Sequence, residues 1–164
     1  MLPDLRVKQR DYLLEISRAL TQVLDLDKLL DRILSISLEM LAGQAGLIAL
    51  REPAQGWRIR VSFGLPAPFL RFLEPKFSQI PEDQDPADTE LQTINQILGS
   101  FTQAISLGRL SSVGLPLITG QKVLGVIFVF REFAAFSAND RTLLSSFADQ
   151  AAIAVQNAQL YTQV

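Results

Sequence analysis

The chain has 164 residues, 48% of them apolar and 20% charged, the balance of one globular domain rather than a disordered tract. It contains no histidine and no cysteine, which excludes Ser-His-Asp and Cys-His catalysis, Cys/His zinc sites, histidine-ligated haem, thiol redox chemistry and disulfides. A formal net charge of -2 offers no broad basic footprint for nucleic acid.

The first third reads as helical. Leu13, Ile16, Leu20 and Val23 recur at spacings of three and four, one face of a helix within residues 1–24. Asp25 or Asp27 offers the N-cap of a second helix. That helix carries Leu30, Ile33, Leu34, Ser37, Met40 and Leu41 on one side, with Gly43 as its expected terminator. The pattern changes at Ala45. The run from Ala45 to Leu50 is short and apolar, as for a strand covered on both faces. After a connection containing Pro53 and Gly56, Trp57, Ile59, Val61 and Phe63 alternate with Arg58, Arg60 and Ser62. This is the period of a strand with one wet face, and the two strands are expected to form an antiparallel hairpin.

Gly64 to Pro68 breaks the second strand, and Phe69, Leu70, Phe72 and Leu73 suggest a short helix or turn. Pro81 to Asp88 is an acidic loop. A helix is expected over 87–98, with Leu91, Ile94 and Leu98 along one face, followed by a weak strand over 101–107. Val113 to Ile118 and Val123 to Phe130 are expected strands around Thr119-Gly120-Gln121-Lys122, where glycine suits the first central position of a two-residue hairpin loop. Ser137 and Asp140 fit a capping box opening a long helix over 140–164. Leu144, Phe147, Ala151, Ala154, Ala158 and Tyr161 mark one side of it. No Gly or Pro follows Tyr161, so this helix is expected to run on into a linker. The order predicts an α+β fold, helices packed on an antiparallel sheet, in one domain over 1–164 with 1–24 and 140–164 as terminal helices.

The longest uncharged stretch, between Glu90 and Arg109, is rich in Gln, Asn, Ser and Thr, and the N-terminus has no continuous apolar run. Neither a membrane span nor a signal peptide is expected, and the chain is expected to be soluble and cytoplasmic.

Three clusters are candidate sites. Arg58 and Arg60 share a face of their strand; they either line a pocket for an anionic ligand or stand as solvated charges at a sheet edge. Phe63, Phe69, Phe72, Phe77 and Phe101 either form a pocket for a small hydrophobic or aromatic ligand or close a core over the sheet. Glu82, Asp83, Asp85, Asp88 and Glu90 lack the spacing of a calcium loop and read as a solvated loop, so no metal site is expected. No nucleophile or acid–base constellation is visible, and no catalytic residue is assigned.

Longer stretches carry a resemblance. They are Ser111-Ser112-Val113-Gly114-Leu115-Pro116-Leu117, Val123-Leu124-Gly125-Val126-Ile127, Phe136 through Asp140 to Leu143-Leu144, and Asn157-Ala158-Gln159-Leu160. With Leu26-Asp27-Lys28-Leu29-Leu30 and Phe63-Gly64-Leu65-Pro66, this order resembles the GAF family of regulatory sensor domains over nearly the whole chain. The resemblance implies a central antiparallel sheet with the N- and C-terminal helices on one face. A loop and short-helix segment over a ligand pocket is implied on the other face. Family ligands include cyclic nucleotides, bilins, haem and small metabolites. The missing cysteine excludes a covalently attached bilin and the missing histidine a histidine-ligated haem, so no cofactor is expected. Phe136 and Asp140 keep the spacing of the cyclic-nucleotide members, but Arg141 stands where they carry Glu and no Asn-Lys pair precedes Phe136. The resemblance thus implies a non-catalytic sensor that binds a small molecule and regulates an attached effector such as a histidine kinase. The alternative is a ligand-free dimerisation or scaffold module, its pocket filled by phenylalanines. A homodimer through the terminal helices is expected, with neither nucleic acid nor membrane as partner.

Overall fold

In the computed structural model, which describes residues 25–80, 82, 91–106, 108–132 and 134–162, helix α1 covers 25–41. The helix expected within residues 1–24 lies outside the described residues, as does the acidic loop apart from Glu82. On α1, Leu30, Ile33, Leu34, Ser37 and Leu41 face the core, as their spacing predicts. The Ser37 hydroxyl donates to the Ile33 carbonyl at 2.7 Å, which lets a polar side chain sit in an apolar stripe. Met40 departs from the expectation and is 59% exposed. At 100° per residue it lies about 80° from the centre of the buried stripe. The helix end differs too. The left-handed residue is Ala42, with φ 53°, and not Gly43. Gly43 N–H donates to the Leu38 carbonyl and Ala42 N–H to that of Glu39, the two bonds of a Schellman ending. Gly43 serves packing instead: a Cβ there would stand 2.7 Å from Val129 Cγ1.

Four strands follow: β1 (Ala45–Glu52), β2 (Gly56–Phe63), β3 (Leu110–Thr119) and β4 (Lys122–Glu132). They form one antiparallel sheet in the order β2-β1-β4-β3. Both hairpins match expectation, and Gly120 takes φ 62° in the loop between β3 and β4. Two bulges change the faces. Ile48 pairs with Val61 but Ala49 with Ile59, so Arg60 is an extra residue on β2. Trp57 and Ile59 therefore face one layer and Val61 the other, which corrects the single alternation expected from Trp57 to Phe63. Phe63 ends 61% exposed. On β4, Leu117 pairs with Gly125 and Ile118 with Val123. Leu124 is the extra residue there and packs on the face opposite Val126 and Phe128.

Helix α1 and helix α4 (Ala138–Thr162) cover one face of the sheet. Helix α2 (Ala67–Leu73), a 3-10 turn (Glu74–Gln79) and helix α3 (Gln92–Ser106) cover the other. Helix α3 occupies residues 101–106 of the stretch expected as a weak strand over 101–107, and residue 107 lies outside the described residues. Ile94, Leu98 and Thr102 are buried at steps of four, and the Thr102 and Ser106 hydroxyls donate to carbonyls four residues back. The helical period thus continues past Ser100. On α4 the buried stripe is Leu144, Ala148, Ala151, Ala152, Val155 and Ala158, whereas Phe147 and Ala154 are half-buried. Among the described residues no helix is long and apolar enough to cross a membrane.

Gly114 of β3 pairs with Phe128 of β4, and a Cβ on it would overlap the Phe128 ring. Gly114→Ala is expected to cost about 1–3 kcal/mol by overpacking. Urea unfolding checks this; a midpoint equal to that of the natural chain would show that the ring moves freely.

Candidate functional site

The face covered by α2 and α3 is an aromatic layer. Pro68 sits in the first turn of α2, where its missing N–H costs nothing, and the helix then projects Phe69 and Phe72 toward α3. The rings of Phe72 and Phe101 stack at 4.7 Å with planes 2° apart. Phe69 lies 6.0 Å from Phe101 and meets Phe130 edge-on at 6.0 Å. Phe77, from the 3-10 turn, is fully buried and touches both Trp57 and Phe128 at 5.9 Å. Of the five candidate phenylalanines, Phe69, Phe72, Phe77 and Phe101 share one layer but play two parts, and Phe63 stands outside it, exposed at the end of β2. Phe77 belongs to a closed core, while Phe72 is 53% exposed at the rim. Lys76 Nζ stands 5.0 Å from the Phe72 centroid and 5.5 Å from that of Phe101, over the open side of the stack. Phe128 and Phe130, missed as members of this layer, carry the strand period two residues apart on β4.

The two arginines lie across the sheet from these rings. Arg58 pairs with Leu50, whose side chain belongs to the cluster under α1 and α4. Arg60 Nη2 is 2.7 Å from Asp27 Oδ1 on α1, and its Nη1 donates to Glu52 Oε1 at 3.1 Å. The bulge thus turns Arg60 toward the helix layer, where it ties α1 to the first hairpin.

Arg60 also lines an open cleft of about 540 Å³ beside β2, with Leu70, Arg71 and Glu74. Further clefts lie along the free edge of β3. One of about 300 Å³ is lined by Gln92, Asn95, Ser112, Gly114 and Arg141. A second, of about 780 Å³, lies between β3 and α4, beside Pro116, Phe136, Thr142 and Asp149. The Asn95 side chain guards this edge. Its Oδ1 accepts from Gly114 N–H at 2.7 Å and its Nδ2 donates to the Gly114 carbonyl at 2.9 Å, the two bonds a neighbouring strand would make. Pro116 offers no N–H, so the edge is closed to further strands.

The sequence pattern assigns no role to Arg131, which lies on β4 opposite Ser111 of β3, next to these clefts. Its guanidinium donates to the carbonyls of Leu41, Ala134 and Ala135 and to Asp140 Oδ2, and it stacks 4.2 Å from the Phe136 centroid. Asp140 completes the expected capping box: its carboxylate accepts from Ser137 N–H, and its own N–H donates to Ser137 Oγ. The Ser137 amide bond, and then Arg131, hold the Asp140 carboxyl below its ordinary range. These groups position chain segments. Among the described residues, no three or more Asp and Glu side chains gather as metal ligands.

A three-layer arrangement with a central antiparallel sheet, terminal helix on one face and aromatic layer on the other, agrees with a family model. The model for the GAF domain matches residues 23–156. The chain belongs to the GAF domain family. Among curated proteins none matches it. Solved structures, several of them GAF domains, share its fold at low identity. A GAF domain/HD domain protein from Geobacter sulfurreducens is 19% identical with a TM-score of 0.59, over 84% of this chain and 96% of that one. A domain assigned to a two-component sensor histidine kinase of Sinorhizobium meliloti 1021 is 16% identical with a TM-score of 0.57, over 80% and 91%. The GAF domain of a phosphoenolpyruvate-protein phosphotransferase from Coxiella burnetii is 14% identical with a TM-score of 0.58, over 93% and 96%. Relative to the pocket expected from the GAF resemblance, this member packs Phe77, Phe128 and Phe130 between sheet and helices and leaves the Phe72–Phe101 stack at the rim.

Proposed function

We propose that this GAF domain is a non-catalytic cytoplasmic sensor that binds a small apolar or aromatic molecule against the aromatic layer. In this reading it regulates an effector in the same protein, such as a histidine kinase. The observation that carries the ligand reading is the half-open stack of Phe72 on Phe101 beneath Lys76, a platform of the kind that planar ligands use. The Sinorhizobium relative, assigned to a sensor histidine kinase, supports the choice of effector. A second reading has its own support. Phe77, Phe128 and Phe130 are each at most 1% exposed, so rings already fill the layer, as a ligand-free dimerisation module requires. Native mass spectrometry of the purified chain separates the two. A retained small molecule that Phe72→Ala releases supports the sensor, and a bare mass at every preparation leaves the scaffold.

Both readings include a homodimer through the helix face. Leu29, Ile36 and Met40 are exposed along α1, at spacings of seven and four that place them within about 40° of one another. Ile153 is exposed on α4. Such a stripe suits a two-fold interface. Ile36→Glu with Met40→Glu is expected to shift a dimer to monomer by light scattering, with the circular dichroism unchanged. A monomeric natural chain at about 100 µM, a concentration that suits a weak interface, would remove the dimer from the proposal.

A further inference from the structure

Arg51 and Trp57 face each other across the first hairpin, so their side chains share the face covered by α2 and the 3-10 turn. The guanidinium stacks on the indole, with Cζ 5.3 Å from the ring centroid. Its Nη2 donates to the Ile80 carbonyl at 2.8 Å. Its Nη1 is buried and has no acceptor, and the same holds for the indole Nε1. Trp57 is only 9% exposed. No carboxylate of the described residues forms an ion pair with Arg51. Two donors of one stacked pair, one on a cation, are thus withdrawn from water without an oxygen to receive them.

Such a pair is costly to leave unmet, and neither group can change its role. Guanidinium and indole N–H are donors only, and the guanidinium keeps its proton throughout the accessible pH range. A neutral acceptor would answer the hydrogen bonds but leave the charge. A carboxylate answers both, and bonds between ionised partners are the stronger kind.

We propose that Arg51 and Trp57 form a receptor for a carboxylate group, which accepts from Arg51 Nη1 and Trp57 Nε1. The receptor sits beside Phe77 and is independent of whether a ligand occupies the Phe72–Phe101 platform. Two sources share this chemistry: a small free acid, and the chain's own acidic residues Asp83, Asp85, Asp88 and Glu90, whereas Glu82 pairs with Lys122.

Trp57 is the sole tryptophan, so its emission reads the site without a label. The full chain is titrated with sodium acetate and, at matched ionic strength, with sodium chloride. A second chain carries Asp83→Asn, Asp85→Asn, Asp88→Asn and Glu90→Gln together. A saturable change in acetate but not chloride is expected. If the natural chain responds, the acid comes from solution. If only the neutralised chain responds, the chain's own side chains hold the receptor. Arg51→Lys keeps a charge but loses the planar fork, and is expected to weaken the response about tenfold. Identical acetate and chloride curves in both chains overturn the proposal, as does a full acetate response in Arg51→Lys. If Arg51→Lys fails to fold by circular dichroism, Trp57→Phe with acetate binding read by calorimetry takes its place, and undiminished binding there counts against the receptor equally.

Discussion

Val126→Asp is expected to abolish cooperative folding. Val126 lies in the middle of β4, paired with Ala49 on one side and Pro116 on the other, and is 0% exposed. It shares the aromatic layer with Ala49 across the ladder and Phe128 along the strand, both apolar, so a carboxylate placed there gives up its water against side chains that offer it no hydrogen bond. Stranding an unpaired charge in such a place costs about 3–5 kcal/mol, and protonation only exchanges that cost for a buried polar group without a partner. A domain of this size has about 5–15 kcal/mol in total. Val126→Ala, which removes only apolar contact, is expected to lose about 2 kcal/mol and to unfold cooperatively. Thermal melts of both variants decide the matter. A Val126→Asp chain that melts with the natural one would mean that β4 is not central, and the sheet order would be wrong with it.

The signals that were legible before the structure are local ones. Ser137 and Asp140 lie three residues apart and cap each other, so spacing alone identifies the start of α4. Gly120 at the hairpin loop and the stripe on α1 are likewise properties of a few consecutive residues. The bulges at Arg60 and Leu124 were not legible, because one extra residue changes neither composition nor hydropathy, only the partner across the ladder. Their effect is large: each moves every later side chain to the other face. Met40 failed because a stripe has edges, and spacing of three from Ser37 reaches past this one. The stretch from Phe101 to Ser106 contains Phe, Thr and Ile, which suit a strand, and tertiary packing of Leu98 and Thr102 overrode that preference. Of the candidate site, Phe69, Phe72, Phe77 and Phe101 could be grouped because they occur in the segment that covers one face, while Phe63, the fifth of the group, ends β2 and is exposed. The face of Arg58 and Arg60 could not be read, since it depends on which layer of helices lies on which side. Arg131 was invisible for a plainer reason: its acceptor at Leu41 is 90 positions away.

Arg131→Gln is the second change expected to act strongly. The side chain is 14% exposed and joins three segments: the end of α1 through the Leu41 carbonyl, the loop through Ala134 and Ala135, and the start of α4 through Asp140. Glutamine has one amide with two N–H donors where the guanidinium reaches three carbonyls and a carboxylate, so at least two of these acceptors lose their partner. A loss of about 2–4 kcal/mol is expected, and lysine should restore little of it, because its ammonium lacks the planar fork. Asp140 adds a test in pH. Its folded pKa is depressed, so its contribution is complete above the ordinary aspartate pKa and is lost as pH falls through the lower folded value. Stability of the natural chain should therefore decline on acidification across that window. Asp140→Asn should remove this part of the decline. Arg131→Gln should only narrow the window, because the Ser137 amide is the larger cause of the shift. The two substitutions should be less than additive, since they share one bond, by about 0.5–3 kcal/mol in a double-mutant cycle. Additive losses, or an Arg131→Gln loss below about 0.5 kcal/mol, would mean that the segments meet without this residue. In the proposed sensor the same junction fixes where α1 ends relative to where α4 begins. A ligand that alters the angle between those helices must therefore work against Arg131, and its substitution should change effector output even where the chain stays folded.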